Sequence, residues 1–390
     1  MIFEHAEALV SETLAPLSTD EFFNAVGKSC LDIEGGPDHP RRQLFGGDPK
    51  CTVLDAYLTH SGKLECHAKA PSQPAPVPKT VSNANEFLEL ITGFHERGYT
   101  VVVPDVVPLA PTLQRFARAL EYMLRQPVSA SLFWSAAGAQ AVVHYDKRDN
   151  IIVQLEGHKR WFISTDPPGL QNKWKQVGEP LPSLQRHRIV DVGPGDLIYI
   201  PRGTPHTVES TTESLHLAIL FEPITVREAL IAAVDFLSDS DRALRETAVG
   251  RVQDLDLASL TKRVAGSLEG LLAHSRSEDF LRAALDLRSS RTTADLAPYP
   301  KPSVTHSVTR DTRVRQSPLA ISYLRPSFTS LDFSQPGEHI AVHPGVEPEL
   351  QFIASTDSFR VAEIPGAATE DVKIALVTKL IESGFLEIAA

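Results

Sequence analysis

Apolar side chains recur at helical spacing in two segments before residue 129. Between residues 84 and 97 they follow the period of an amphipathic helix, with Asn83 placed as an N-cap and Gly98 as a stop. Residues 111–125 repeat the pattern with an apolar face of their own. The valine-rich run 99–103 lies between the two segments and predicts a strand. This part of the chain therefore predicts helices on both sides of a strand.

The pattern changes between about residues 129 and 223. Short runs rich in valine, isoleucine, phenylalanine and tryptophan alternate there with turns of glycine, proline and aspartate. Many short strands separated by such turns are typical of an antiparallel barrel or sandwich. We expect the catalytic core in this region.

Helical periodicity returns from about residue 225 to residue 287, and again near the end of the chain. Helices after a barrel often pack on it or on a second subunit. The apolar faces of this first stretch include Leu230, Ile231, Val234 and Leu237 on one side and Leu268, Leu271 and Leu272 on another. A last helix is predicted at residues 369–384. Its spacing assigns to the buried side Val372, Leu376 and Leu380.

Length and composition limit the possible classes. A chain of 390 residues exceeds what one compact core normally holds, so we expect two or three domains. No stretch reaches the roughly 20 apolar residues that span a bilayer, and the start lacks the basic region of a secretory signal. We therefore expect a cytoplasmic protein that is not bound to a membrane. The net charge of −11 disfavours nonspecific binding to nucleic acid and favours a basic partner.

Two residues of metal-binding type stand early in the strand-rich region. His144 and Asp146 are separated by one residue, so on a strand their side chains would share one face and could reach the same ion. The pair alone is a weak signal, because His-x-Asp triplets also arise by chance in a chain of this size.

The segment 192–206 supplies a third candidate ligand. Its Gly-Pro-Gly-Asp turn leads into the apolar strand 197–200, and a second bend at 201–205 presents His206. In an antiparallel barrel this strand can bring His206 beside the earlier pair. Two imidazoles and one carboxylate on one face of an octahedral ion leave three positions open, as in non-haem iron(II) oxygenases. The three residues together predict a metal site.

The two segments resemble the two motifs of the cupin superfamily. The first reads Gly138-x5-His144-x-Asp146 with Gly157 after it, and the second reads Pro194-Gly195-Asp196-x-x-Tyr199-Ile200-Pro201-x-Gly203-x-x-His206. His144-Tyr145-Asp146 and the run Gln154-Leu155-Glu156-Gly157-His158-Lys159-Arg160-Trp161 are more specifically similar to the JmjC-type ribosomal oxygenases. The lead-in 98–103 and the run 311–315 extend this resemblance to most of the chain beyond about residue 80.

The resemblance implies an α+β protein built around a double-stranded β-helix, the jelly-roll barrel of cupins. It implies a JmjC catalytic domain with an N-terminal helical elaboration at residues 1–223. A helical dimerisation region would follow at 224–296, and a winged-helix-like domain at 297–390. A homodimer is therefore expected.

The resemblance also implies a reaction and its site residues. Members of this family use Fe(II), 2-oxoglutarate and O2 to hydroxylate an unactivated C–H bond, usually on a ribosomal protein. His144, Asp146 and His206 would bind the iron. Lys159 would bind the distal carboxylate of 2-oxoglutarate through a charge-assisted hydrogen bond, and Asn150 matches a position that contacts this cosubstrate in related hydroxylases.

Several alternatives stay open from the sequence. The substrate could be a small molecule, and the metal could be manganese, nickel or zinc, because affinity alone does not select iron. A non-oxidative metal-binding cupin has no need of Lys159. A nucleic-acid-binding regulator would need a basic recognition helix, whereas the helix at 369–384 balances Lys373 and Lys379 with three acidic residues. Direct binding of nucleic acid is therefore not expected.

Overall fold

Strands occupy the middle of the chain and helices lie on both sides of it. The computed structural model describes residues 2–69, 73–169, 184–301, 307–326 and 329–389. The chain forms two compact units, Met1–Pro223 and Ile224–Ala390. Within the described ranges, no helix has the length and apolar character needed to cross a bilayer.

The first unit combines short helices with the strand-rich region. Its helices are α1 (Ile2–Leu14), α2 (Thr19–Ala25), α3 (Pro49–Asp55), α4 (Tyr57–His60), α5 (Ala84–His95) and α6 (Pro111–Leu124). Its strands are β1 (Leu31–Ile33), β2 (Glu65–His67), β3 (Thr100–Val103), β4 (Val128–Ser135), β5 (Asp149–Glu156), β6 (Lys159–Ser164), β7 (His187–Val192), β8 (Leu197–Ile200), β9 (His206–Ser210) and β10 (Ser214–Phe221).

Local sequence signals set the ends of the two longer helices before the barrel. α5 begins after Asn83, whose side chain accepts a hydrogen bond from the amide of Glu86 at 3.0 Å. Gly98, just beyond this helix, has a φ of +81°. α6 begins with Pro111 and ends at Arg125 in the left-handed conformation. The apolar faces of both helices are buried, as predicted.

The described strands of the first unit pair antiparallel in two sheets. The larger sheet has the order β1-β8-β5-β10-β4-β3-β2, and the smaller has the order β7-β6-β9. Side chains of both sheets meet in one hydrophobic cluster, which includes Ile152 and Ile198 from the larger sheet and Trp161 and Ile163 from the smaller. The predicted α+β class with a double-stranded β-helix is confirmed.

The first 80 residues support the turn that precedes β8. The buried guanidinium of Arg41 donates hydrogen bonds to the carbonyl oxygens of Thr13, Glu34 and Gly195. Gly195 has a φ of +90°, and a Cβ there would overlap the carbonyl oxygen of Gly36. The N-terminal region is thus part of the scaffold of the second motif, a role that the sequence pattern did not reveal.

The second unit begins with helices and continues with small sheets. Its helices are α7 (Val226–Ser240), α8 (Leu257–His274), α9 (Glu278–Thr292), α10 (Glu347–Ser355) and α11 (Glu370–Glu382). Its strands are β11 (Arg313–Gln316), β12 (Tyr323–Pro326), β13 (Leu331–Gln335), β14 (Glu338–Val342), β15 (Ser358–Arg360) and β16 (Leu386–Ile388). The described strands pair in the orders β15-β11-β16 and β12-β13-β14. The boundary at residue 297 and the winged-helix-like class of the terminal region stay predictions.

The apolar faces of the second unit agree only in part with those expected. In α11 the buried side chains are Val377, Leu380 and Ile381, whereas Val372 is 39% exposed. The helix is apolar on more than one side, and packing on the core cluster around Phe385 decides which side is buried. In α7 and α8 the predicted Leu237 and Leu271 pack inward beside Ala233, whereas the other predicted side chains Leu230, Val234, Leu268 and Leu272 are exposed.

Candidate metal centre

The three candidate ligands meet where the connection from β4 to β5 pairs with the start of β9. His144 and Asp146 lie in the connection from β4 to β5, so the expected placement of this pair on a regular strand is wrong. Two backbone hydrogen bonds join His144 to His206. The amide of His144 donates to the carbonyl oxygen of His206 at 3.0 Å, and the amide of His206 donates to the carbonyl oxygen of His144 at 2.8 Å. The carbonyl oxygen of Asp146 also accepts a hydrogen bond from the amide of Gly203 at 2.9 Å. These main-chain bonds, rather than strand alternation, position the three side chains.

The ligand atoms of His144, Asp146 and His206 all lie within 4.8 Å of one another. Nε2 of His206 is 3.8 Å from Oδ2 of Asp146, and the centres of the two imidazole rings are 4.4 Å apart. One ion can be reached by two nitrogens and a carboxylate at these separations. Among the residues that the structure describes, His144, Asp146 and His206 form the group of histidine, cysteine or acidic side chains whose ligand atoms lie close enough to share one metal ion.

Hydrogen bonds fix the form in which both imidazoles face the site. Nδ1 of His144 donates to the carbonyl oxygen of Val142 at 2.8 Å, and Nδ1 of His206 donates to that of Thr204 at 2.9 Å. A carbonyl oxygen can only accept, so each Nδ1 carries the proton and each Nε2 offers a lone pair. Burial also lowers the pKa of His206, which keeps this imidazole neutral. Both rings are therefore prepared to bind a metal ion.

Asn150 lies beside the acidic ligand. Its Nδ2 donates a hydrogen bond to Oδ2 of Asp146 at 3.1 Å, and its Oδ1 is buried without a hydrogen-bond partner in the described part of the chain. The amide thus holds the carboxylate in place and leaves one acceptor for another group. Such partners of metal ligands tune both orientation and affinity.

The three ligands open into a cavity of about 600 Å³ between the two sheets. Lys159 forms part of its wall and is only 2% exposed, with Nζ donating a hydrogen bond to Oγ of Ser135 at 2.8 Å. No ion pair reaches this ammonium within the described ranges. Burial lowers the pKa of Lys159 to about 7. A cation left in this state is suited to an anionic ligand that enters the cavity.

Two aromatic residues of the cavity were not assigned a role from the sequence. Trp161 contacts the ring of His206 with centres 5.8 Å apart, and its Nε1 is buried without a partner in the part of the chain described. His216 lies 5.7 Å from Trp161 on its other side. The sequence could have indicated the position of Trp161, because Trp161 follows Lys159 by two residues and side chains at this spacing lie on the same face of a strand. The partner strand of His216 was not readable from sequence.

The residues present fit both a metal ion and an anionic cosubstrate. Two neutral imidazoles and one carboxylate match the donor set of a non-haem iron(II) site with open positions. The same cavity is lined by the buried ammonium of Lys159, which donates one hydrogen bond to Ser135, and by Nε1 of Trp161 and Nδ1 of His216, which have no partner among the described residues.

Comparison with known proteins identifies a JmjC domain within this chain. Residues 108–229 match the JmjC domain family, which confirms the resemblance seen in the sequence. The uncharacterized protein YxbC of Bacillus subtilis is 27% identical over 201 residues, which cover 46% of this chain and 60% of YxbC. Ribosomal oxygenase 2 of Rattus norvegicus is 30% identical over 138 residues, which cover 34% of this chain and 30% of that protein. In both cases the chain covers less than two thirds of the relative.

A solved structure shares the fold over nearly the whole chain. The Escherichia coli ribosomal oxygenase YcfD, solved in complex with cobalt and 2-oxoglutarate, is 17% identical with a TM-score of 0.53. The match covers 96% of this chain and 99% of that one. At this level of identity the similarity concerns the fold.

Proposed function

The chain contains a JmjC domain of the cupin-type fold, and on this premise we propose that it is an Fe(II)- and 2-oxoglutarate-dependent dioxygenase that hydroxylates an unactivated C–H bond. The observation that carries the proposal is the presence, in one cavity, of the three-residue metal centre and the buried ammonium of Lys159. A metal-binding cupin without a 2-oxo acid has no use for a buried lysine that lacks an anionic partner. The cobalt and 2-oxoglutarate complex of YcfD, which shares the fold, adds support.

Each site residue has a role in this proposal. His144, Asp146 and His206 would hold the iron, and Lys159 would bind the distal carboxylate of 2-oxoglutarate. Asn150 would orient Asp146 and contact the cosubstrate through its amide N–H group, because the oxygens of 2-oxoglutarate only accept hydrogen bonds. When bound, iron with O2 and 2-oxoglutarate supplies the oxidising power, with release of succinate and carbon dioxide.

The protein itself contributes position and exclusion of water. The backbone pairing of His144 with His206 fixes two ligands before a metal arrives, which lowers the entropy cost of binding. Trp161 packs on His206 and closes one wall of the cavity, while the side chain of Asp146 remains 28% exposed. The metal centre is thus protected on the cosubstrate side and open towards the substrate.

The most suitable substrate is a side chain of a protein, of the ribosomal-protein type. The cavity reaches the surface, where Glu65 and Asp105 lie on its wall. A net charge of −11 favours association with a basic protein. The similarity to ribosomal oxygenase 2 over 138 residues supports this class of substrate. A cytoplasmic location stays a prediction from the sequence.

A homodimer accompanies the proposed function. Exposed apolar side chains follow one another on α7 and α8, among them Leu230, Leu268 and Leu272, which are 51%, 57% and 59% exposed. Val234, Val264 and Leu268 line one hollow formed by α7 and α8, and apolar surface of this kind is typical of association sites. We expect the second copy of the chain to cover it.

The test is succinate formation from 2-oxoglutarate by protein loaded with Fe(II) under anaerobic conditions and then exposed to O2. It is measured with and without a fraction of ribosomal proteins, beside His206→Ala, Lys159→Ala and the matched surface control His187→Ala. We expect turnover that rises with the ribosomal fraction, disappears in His206→Ala and needs much more 2-oxoglutarate in Lys159→Ala. His187→Ala should behave as the unaltered protein.

Two contrary results have distinct meanings. Iron binding without any succinate formation would move the assignment to a non-oxidative metal-binding cupin. Turnover that ignores the ribosomal fraction but rises with a pool of small metabolites would identify a small-molecule hydroxylase.

A further inference from the structure

His216 is a buried polar side chain of the cavity that is not one of the three metal ligands. It is 2% exposed, lies on β10 and forms part of the cavity wall. Its ring is stacked on Phe133, with centres 4.7 Å apart and planes 9° from parallel, and Trp161 meets it edge-on at 5.7 Å. The two aromatic rings hold the imidazole in one orientation.

One nitrogen of this imidazole has no protein partner in the described part of the chain. Nδ1 of His216 is buried and has no hydrogen-bond partner there. Burial and the nearby charge of Lys159 lower the pKa of His216 well below its ordinary value, so the ring is neutral and carries one N–H donor. A buried polar atom is destabilising unless a ligand or water completes its hydrogen bonds.

Strand pairing places His216 close to the ammonium end of the cavity. His216 is opposite Phe133 in the β10–β4 pair, and Ser214 is opposite Ser135, two residues along each strand. Lys159 donates its hydrogen bond to Ser135. Lys159 and Trp161 share one face of β6, and Trp161 touches the ring of His216. The ammonium and the imidazole therefore border the same volume.

We propose that His216 is a second recognition residue for the distal carboxylate of 2-oxoglutarate, donating its N–H to one carboxylate oxygen while Lys159 binds the other. The inference rests on the proposed function, and it adds a selectivity role for this side chain. Two donors of different kind, one charged and one neutral, fix both the charge and the orientation of a carboxylate. Ligands that lack the distal carboxylate should gain nothing from His216.

The experiment measures ligand binding without turnover. Protein loaded with Mn(II) is titrated calorimetrically under anaerobic conditions with 2-oxoglutarate and with 2-oxopentanoate, which has the same chain length but ends in a methyl group. The variants are His216→Phe, which keeps the aromatic stacking and removes both nitrogens, and His216→Gln, which keeps a donor. His187→Phe, on the exposed part of β7, is the matched control, and thermal unfolding of each variant is followed in parallel.

We expect His216→Phe to weaken binding of 2-oxoglutarate by about tenfold or more, the range of a hydrogen bond to a charged group, and to leave 2-oxopentanoate within about twofold. His216→Gln should recover part of the loss. Equal weakening of both ligands would assign His216 a packing role, and unchanged binding of both would mean that water completes the imidazole; either result overturns the inference. If the unaltered protein binds Mn(II) but not 2-oxoglutarate, the proposed function itself fails, a result distinct from those two.

Discussion

At the scale of single residues, the site is a set of polar groups whose forms are fixed before any ligand binds. The Nδ1 protons of His144 and His206 are bound to backbone carbonyl oxygens, and Asn150 holds Asp146. Lys159 stands apart, because its charge is buried beside a serine hydroxyl alone. Titration of this lysine and removal of the Asn150 amide are the changes that test the arrangement most directly.

The charge of Lys159 should make cosubstrate binding depend on pH. Burial lowers the pKa of Lys159 to about 7, so above that pH the free protein must take up a proton to form the ammonium that binds a carboxylate. The dissociation constant of 2-oxoglutarate should be flat between pH 6 and 7 and then rise by up to about tenfold per pH unit. Calorimetry of the Mn(II) protein from pH 6 to pH 9 measures it.

The matched variant is Lys159→Met, in which binding is weak at every pH and its slope is lost. The stability of the metal-free protein provides an independent check, because it should rise with pH while the affinity for 2-oxoglutarate falls. The lowered pKa of Lys159 in the folded state destabilises the fold fully below pH 7, and this destabilisation decreases as pH rises from about 7 towards 10.5. Lys159→Met should therefore raise the free energy of unfolding at pH 6, on the order of a few kcal/mol. Equal affinity for 2-oxoglutarate at pH 6.5 and 8.5 would contradict the buried ammonium.

Removal of the Asn150 amide should weaken the metal site rather than the fold. In Asn150→Leu, Asp146 loses the hydrogen bond that orients it, and we expect metal affinity to fall by about 10- to 100-fold. Competition of Mn(II) against a chelating dye measures the affinity. An unchanged affinity would show that the backbone contacts of Asp146 are sufficient.

At the scale of elements, one glycine turn links the N-terminal region to the second motif. Gly195 is in the left-handed region at φ +90°, and its carbonyl oxygen accepts from the buried Arg41. The amide of Gly35 donates to Oδ1 of Asp196 at 2.9 Å, which ties the same two segments again. The turn is tight because two main chains approach without side chains between them.

Gly195→Ala should destabilise the protein strongly. A Cβ would overlap the carbonyl oxygen of Gly36 in a backbone conformation that already disfavours L side chains, so we expect a loss of about 3 kcal/mol or more in the free energy of unfolding. Denaturant unfolding followed by fluorescence measures it. Gly47→Ala is the control, because a Cβ at Gly47 meets no atom within 4 Å and should change stability by less than about 1 kcal/mol. Similar stability of both variants would mean that the turn opens easily.

At the scale of the whole molecule, the second unit has apolar surface that its own core does not bury. The inward side of its helices is filled by Ala233, Leu237 and Leu271, and Leu268 and Leu272 lie on the outside of α8. An apolar helix face that stays in water is costly for a monomer. Association of two copies is the simplest way to remove it.

The double variant Leu268→Glu with Leu272→Glu should convert the proposed dimer to a monomer. Two carboxylates at an apolar contact would be buried without partners on association, which disfavours the dimer by several kcal/mol. Light scattering after size exclusion measures the mass, and Lys262→Glu, an exposed charge change on the same helix, is the control. A monomeric parent protein, or a dimer that survives the double change, would rule out this face as the interface.

The sequence by itself determined the class of fold and the chemistry of the site. Alternation and turn residues predicted the antiparallel barrel, and the helices α5 and α6 begin where Asn83 and Pro111 indicated. Motif spacing selected the residues that meet as one group, His144, Asp146 and His206. These features are local, because hydrogen-bonding caps, turn conformations and side-chain alternation depend on neighbours within a few positions.

Only the tertiary structure decided which distant groups meet and which faces are buried. The metal pair is positioned by a backbone bridge to His206, not by its own strand. Pairing of β4 with β10 brings Ser135 and His216 together, and Lys159 reaches Ser135 from the facing sheet. In α11 Leu380 is buried as the spacing indicated, but the core buries Val377 and Ile381 and leaves Val372 exposed. Burial and long-range pairing depend on the packing of the whole unit, so a one-dimensional pattern with two acceptable apolar faces cannot choose between them.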